Sequence, residues 1–309
     1  MIATAWNRLR KYSLENELLY LFARNWLAQL AAVVAMVCIF GALFAPWLAP
    51  NNPYDLATFD ILDSFVPPSF SEGGDPRFFI GTDDQGRDLL SSIMYGARLS
   101  LLVGLGSVAF AAITGTFLGL AAGYIGGRFD AVVMRIADIQ LSLPAILTAL
   151  LVDGIARGIL PQEQHDKLLV VVLVVAIGLS LWVNFARTAR GSTMVERNKD
   201  YVLAEEIMGV HPLRIMGRTI LPNIMGPLLV IGTVDLAVAI LLEATLSFLG
   251  VGVPPNQPSL GTLIRIGTEY MFSGEWWIVL FPSGFLILLV ISVNILGDFL
   301  RDVFNPRQR

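Results

Sequence analysis

The side chains able to do chemistry are few. Lysine occurs only as Lys11, Lys167 and Lys199, and none of them follows a glycine. A phosphate-cradling loop needs the GxxxxGK[ST] spacing, with backbone N–H groups around the phosphates and the lysine reaching the outer ones. ATP hydrolysis by that route is therefore excluded. The two histidines, His165 and His211, fall on opposite faces of the membrane in the topology argued below, so they share no metal or catalytic site. Gly81 to Asp88 (GTDDQGRD) gathers carboxylates between glycines but lacks the ladder of oxygen ligands and the closing Glu of a calcium loop. It reads as a tight turn. Cys38 stands alone, which rules out an intramolecular disulfide and a thiolate cluster built by this chain. What remains are polar groups inside apolar runs: Asp138, Asn184, Asp235, Glu243 and Asn294. An unpaired charge in hydrocarbon is costly, so each either faces a solute or proton path or pairs with a neighbouring helix. Both readings stand for Asp138 and Asp235, the candidates for lining a passage, while pairing is expected for the others. No catalytic residue and no metal ligand is assigned.

The elements that position these groups are membrane helices. Of 309 residues, 55% are apolar and 15% charged, with a mean hydropathy of +0.67, which is not the composition of a soluble globular domain. The net charge of -4 gives no reason to expect a nucleic-acid partner. Crossing the hydrocarbon layer takes about 20 apolar residues. Runs that satisfy this are Leu30–Leu48, Leu99–Ala122, Leu168–Phe185, Ile224–Leu242 and Trp276–Leu296, with a weaker one, Ala131–Val152, interrupted by Arg135, Asp138 and Gln140. Six transmembrane helices are predicted, an all-α integral membrane fold.

Cytoplasmic segments collect Lys and Arg. Placing the N-terminus inside puts 15 of the 21 basic residues on that side, so both termini are expected in the cytoplasm of a multi-pass protein. Residues 1–27 form a cytoplasmic N-terminal segment in which Trp6–Trp26 suits a helix lying in the headgroup plane, with Leu14, Leu18, Leu21 and Phe22 on one face. Residues 28–98 comprise the first span and a long external loop. Residues 99–300 hold the remaining five spans, with a cytoplasmic loop over 186–223, and residues 301–309 are a cytoplasmic tail. Within the second span, Ala111, Gly115, Gly119, Gly123 and Gly127 recur every four residues, a small-residue stripe that lets another helix backbone come close.

The inner loop reads DYVLAEEIMGVHPLRIMGRTILPNIMGP from Asp200 to Pro227. A helix-compatible stretch from Tyr201 to Met208 meets Gly209, then Pro212, then a second stretch ended or kinked at Pro222. Two short helices at an angle are expected, outside the lipid, with side chains a soluble partner could grip.

This loop resembles the cytoplasmic loop of permease subunits in binding-protein-dependent ABC importers, with Ala204, Gly209, Leu221 and Pro222 at the motif's Ala, Gly, Leu and Pro. The family's Glu-Ala-Ala start is replaced by Leu203, Ala204 and Glu205, and Thr219 stands at a position usually Ile. Three further stretches, Gly81–Leu101, Glu243–Gly261 and Asn294–Arg307, together with GYIGGRFD at Gly123–Asp130, narrow the resemblance to the second permease of dipeptide and oligopeptide importers. The resemblance implies a type I importer permease fold in a bacterial inner membrane. It implies as partners a homologous second permease, two cytoplasmic ATPase subunits that carry the ATP and Mg2+, and an extracytoplasmic solute-binding protein. It further implies ATPase contacts through Tyr201, Ala204, Glu205, Gly209, Val210, Pro212, Leu221 and Pro222, with no cofactor in this chain. Relatives that import nickel, opines or other small solutes share the skeleton. An ion-gradient transporter and a non-transporting scaffold are the alternatives of other classes.

Overall fold

The computed structural model describes residues 19–55, 60–159, 161–252 and 259–304, except for the side chains of 162–167 and 304. Most of the N-terminal headgroup-plane stretch, including Leu14 and Leu18, lies outside the described residues; positions 19–24 are helical. Among the described residues every regular element is a helix, and the single isolated bridge joins Thr82 to Asp88.

Helix α1, Trp26–Leu43, starts where the Asn25 side chain accepts the Ala28 N–H at 3.1 Å. It buries only small residues (Ala28, Ala31, Ala35, Cys38 and Ala42), while Val33, Met36, Val37 and Phe40 point outward. Small residues inward and large apolar ones outward suit a helix surrounded by lipid, where close backbone packing, rather than escape from water, holds helices together. Helix α2, Leu89–Ile125, has 37 residues, roughly 55 Å at the α-helical rise, well beyond a hydrocarbon core of about 30 Å. It begins ten residues before the apolar run because Asp88 caps it, accepting the Ser91 N–H at 2.8 Å.

The interrupted third run is broken in space as well. Helices α3, Gly127–Ser142, and α4, Ala145–Ile159, meet at 97°. The cause is Pro144: the residue before a proline is driven out of the helical region, and Leu143 is extended at φ -97°, ψ 132°. Gln140 Nε2 braces the corner by donating to Thr148 Oγ1 at 3.1 Å. Helix α5 is Gln162–Arg197 and the short α6 is Asp200–Ile207. From Pro212 the chain is helical without interruption to Phe248, first as one turn (Pro212–Arg214), then as a π-helical stretch (Ile215–Ile220), then as α7, Leu221–Phe248. Helix α8, Leu260–Tyr270, and α9, Trp277–Phe304, complete the fold.

Among the described residues five unbroken helices are long and apolar enough to cross a membrane, or six spans if the bent pair counts as one. The expected second short helix of the inner loop is not separate. Pro222 does not end it, because the wider π turn supplies the room: the Leu221 N–H bonds to Met216 O, five residues back, just before the proline. One buried cluster packs α2 from Val103 onward against α5 and one side of the Pro212–Phe248 segment, and a second packs α1, the start of α2, α8 and α9 against Ala237, Ile240 and Ala244 of α7.

Candidate functional site

The elbow after α6 is built by backbone chemistry. Gly209 has φ +73°, the left-handed region that ends helices most cheaply as glycine. The N–H groups of Gly209 and Val210 close on Glu206 O and Glu205 O, each at 3.0 Å. The His211 ring caps the following turn by accepting the Leu213 N–H at 3.3 Å, and Pro212 occupies the first helical position. Val202, Ile215 and Ile220 anchor the elbow inward. Its other face is apolar and open: Ile207 is 87% exposed, Met208 72% and Leu213 66%, with Tyr201 and Leu203 beside them. Ala204 and Pro222 are exposed and Leu221 is half-buried.

Side chains then fasten α6 on both sides. Glu205 accepts the Thr219 hydroxyl at 2.8 Å, and the Tyr201 hydroxyl receives the Asn223 amide at 3.3 Å. Glu206 accepts the Tyr124 hydroxyl at 3.0 Å at the end of α2. Arg197, at the end of α5, lies over the Tyr124 ring at 5.2 Å and donates to its carbonyl at 2.5 Å. Nothing in the sequence brought Tyr124, Arg197 and Glu206 together, since 82 residues separate Tyr124 from Glu206.

Asp138, Asp235 and Glu243, the carboxylates that interrupt the apolar runs, all have partners. Asp138 pairs with Arg187 at 2.6 Å, on the partly exposed α3–α5 seam where Asp130 also binds Arg190 through both its oxygens. Asp235, buried on α7, receives the amide of Asn184 at 3.1 and 3.3 Å. Asn184 thus pairs with a carboxylate on a neighbouring helix. Glu243 is fully buried, with the hydroxyls of Ser100 and Ser247 donating to its carboxylate. Asp138 and Asp235 stand on different helices with different partners.

The small-residue stripe is a helix contact. A Cβ on Gly115 or Gly119 would run into the Trp182 or Ala186 carbonyl, and one on Gly123 would meet Arg190 O at 2.7 Å, all on α5. Gly127 does not belong to that face: α2 has ended, φ is +58°, and nothing lies within 4 Å of its Cβ position.

The turn ahead of α2 is knotted around Thr82. Its hydroxyl accepts the Val66 N–H at 2.8 Å and donates to Asp63 O at 2.6 Å, and its carbonyl takes the Trp277 indole N–H at 3.1 Å. Asp83 and Arg87 form a buried ion pair at 2.6 Å. Burial pushes the Asp84 carboxyl above the ordinary carboxylate range, helped by the charge of Asp83, and burial does the same to Asp88. Among the described residues no group of three or more His, Cys, Asp or Glu side chains could hold a metal.

Membrane-length helices around two buried clusters, with a clamped elbow at the end of the bundle, define a multi-pass membrane subunit with the type I importer-permease architecture. The family described as binding-protein-dependent transport system inner membrane component matches residues 115–309, and the N-terminal TM domain of oligopeptide transport permease C matches residues 17–68. The chain is 40% identical over 286 residues to the di/tripeptide transport system permease protein DppC of Pseudomonas aeruginosa, covering 93% of this chain and 90% of the relative. It is 35% identical over 292 residues to the dipeptide transport system permease protein DppC of Haemophilus influenzae, covering 94% of each. It is 33% identical over 300 residues to the oligopeptide transport system permease protein OppC of Bacillus subtilis, covering 97% and 92%. An inward-facing structure of the MetNI methionine ABC transporter shares the fold, with a TM-score of 0.52, 21% identity and coverage of 68% of this chain and 95% of that one. The chain belongs to the binding-protein-dependent transport system inner membrane component family, and so is a transport permease rather than an enzyme.

Proposed function

We propose that this chain forms half of the passage of an ATP-driven importer of dipeptides or oligopeptides. A homologous second permease supplies the other half, two ATPase subunits bind ATP and Mg2+, and an extracytoplasmic binding protein delivers the peptide. Likeness to di/tripeptide and oligopeptide permeases over nine-tenths or more of the chain carries the choice of solute. The exposed apolar elbow from Tyr201 to Leu213 carries the docking of the ATPases, through Tyr201, Ala204, Glu205, Gly209, Val210, Pro212, Leu221 and Pro222. The elbow, the N-terminus and the C-terminus face the cytoplasm of a bacterial inner membrane, and the Gly81–Asp88 turn faces outward. ATP binding draws the ATPases together, the elbow moves with them, and the helices behind it switch the passage between inward and outward access. Asp235 tunes the passage between α5 and α7, and Asp138 does so from α3. Most selectivity resides in the binding protein.

Uptake by vesicles that carry both permeases and enclose the ATPases with ATP tests this, with binding protein and labelled dipeptide, oligopeptide, nickel or opine added outside. Peptide uptake that needs both ATP and binding protein is expected. Uptake driven by an ion gradient alone, or uptake of nickel or an opine in place of peptide, would overturn the proposal.

A further inference from the structure

Two adjacent carboxylates on α6 reach in different directions. Glu205 accepts from Thr219 at the base of the Pro212–Phe248 segment, where Asn223 also holds the Tyr201 hydroxyl. Glu206 accepts from Tyr124 at the end of α2, whose ring lies under Arg197 at the end of α5. The two targets lead into different helices: α2 and α5 are bound to each other along the glycine face, while the Pro212–Phe248 segment runs as one continuous rod. The rest of the elbow makes few side-chain bonds inward, and its exposed side chains are mainly apolar. A displacement of α6 therefore has polar grips on both helix groups: Glu205 and Tyr201 on the Pro212–Phe248 segment, and Glu206 on the Tyr124 hydroxyl and on Arg197, 3.9 Å away.

We infer that Glu205–Thr219 and Glu206–Tyr124 are the two positioning contacts through which α6 moves the membrane helices, one driving the Pro212–Phe248 rod and the other the α2–α5 pair. This deepens the permease reading and rests on it. Glu205 and Thr219 are also the positions where this chain departs from the family's loop pattern, and they depart together: the displaced carboxylate meets the hydroxyl that replaces an apolar side chain. Neither contact is needed to fold α6, which is closed by its own backbone bonds and by Val202. Losing one should leave the elbow in place and loosen one helix group from it.

Single-atom-scale variants isolate the grips. Thr219→Val removes the hydroxyl that Glu205 accepts, and Tyr124→Phe removes the one that Glu206 accepts while keeping the ring under Arg197. In the full reconstituted complex of permeases, ATPases and binding protein, each variant should keep its elbow crosslinks to the ATPases and its ATP hydrolysis. The solute moved per ATP should fall by about three- to ten-fold, the range for losing one typical, partly solvated hydrogen bond. The double variant should fall further, and Thr219→Ser should restore the ratio. An unchanged ratio in either single variant, a Thr219→Ser that fails like Thr219→Val, or a loss of crosslinking that matches the loss of transport would each overturn the inference. Absence of elbow crosslinks in the unsubstituted complex would instead remove the docking reading on which it stands.

Discussion

The amide of Asn184 on α5 donates to both carboxylate oxygens of Asp235 on α7, across two of the longest helices in the molecule. Asn184→Leu should leave that buried carboxylate without its donor and lower stability by about 1.5–3 kcal/mol, read as an earlier thermal unfolding of the detergent-solubilised protein. Adding Asp235→Asn, which removes the charge, should recover most of the loss. Asp235→Asn by itself should change uptake more than co-purification with the partner permease. Normal uptake in that variant removes Asp235 from the passage.

The glycine stripe gives a contrast within one motif. Gly119→Ala places a methyl against the Ala186 carbonyl and must push α2 and α5 apart, costing about 1–3 kcal/mol as overpacking does. Gly127→Ala meets no atom, so its cost is limited to the left-handed backbone, about 1–2 kcal/mol. Yield and thermal unfolding of the two variants test the order. Loss of α2–α5 packing in Gly119→Ala should also reduce assembly, whereas Gly127→Ala should assemble normally.

Sidedness is open to thiol labelling once Cys38→Ser removes the native cysteine. Leu62 is 89% exposed and Ile207 87%, so Leu62→Cys and Ile207→Cys disturb little packing. A membrane-impermeant reagent applied to intact, wall-stripped cells should label position 62 and spare position 207. The reverse result would invert the 15-to-6 assignment of basic residues.

Ala204 is exposed, so that site does not resist a larger side chain from within this chain, whereas Gly209, though it has open space for a Cβ, is held at φ +73°. Ala204→Arg should insert and assemble with the second permease normally but recover less ATPase on purification. Co-purified ATPase at the unsubstituted level would move the docking surface away from α6.

The turn ahead of α2 carries a pH dependence. Burial first, then the charge of Asp83, raises the Asp84 carboxyl above its ordinary value, so the folded chain holds this proton more tightly than the unfolded one. Its contribution to stability is complete below the ordinary carboxylate range and is lost as pH rises through the raised value. Asp84→Asn should therefore raise the melting temperature at neutral pH and flatten its decline from the carboxylate range upward. A variant with the same decline as the unsubstituted chain would place that dependence elsewhere.

Features that depend on neighbours a few residues away were legible in the amino-acid order alone. Apolar run length against bilayer thickness located the membrane helices, spacing by four located the face on α2, and Gly209 with Pro212 located the elbow. Each depends on local periodicity or on a backbone preference that a single residue type imposes. Pro144 was equally local, but its effect on the third span depended on whether neighbouring helices would accept a 97° bend there. Pro222 went the other way, since the π turn before it made room for the ring inside one continuous helix. The partners of Asp138, Asp235 and Glu206, and the Ser100 donor of Glu243, came from helix packing. Residue spacing along a helix sets which way a carboxylate points; which donor waits there is set by the packing of helices 49 to 143 residues away in the chain. The energetic rule that a charge in lipid must be paired was readable in advance, and the identity of its partner was not.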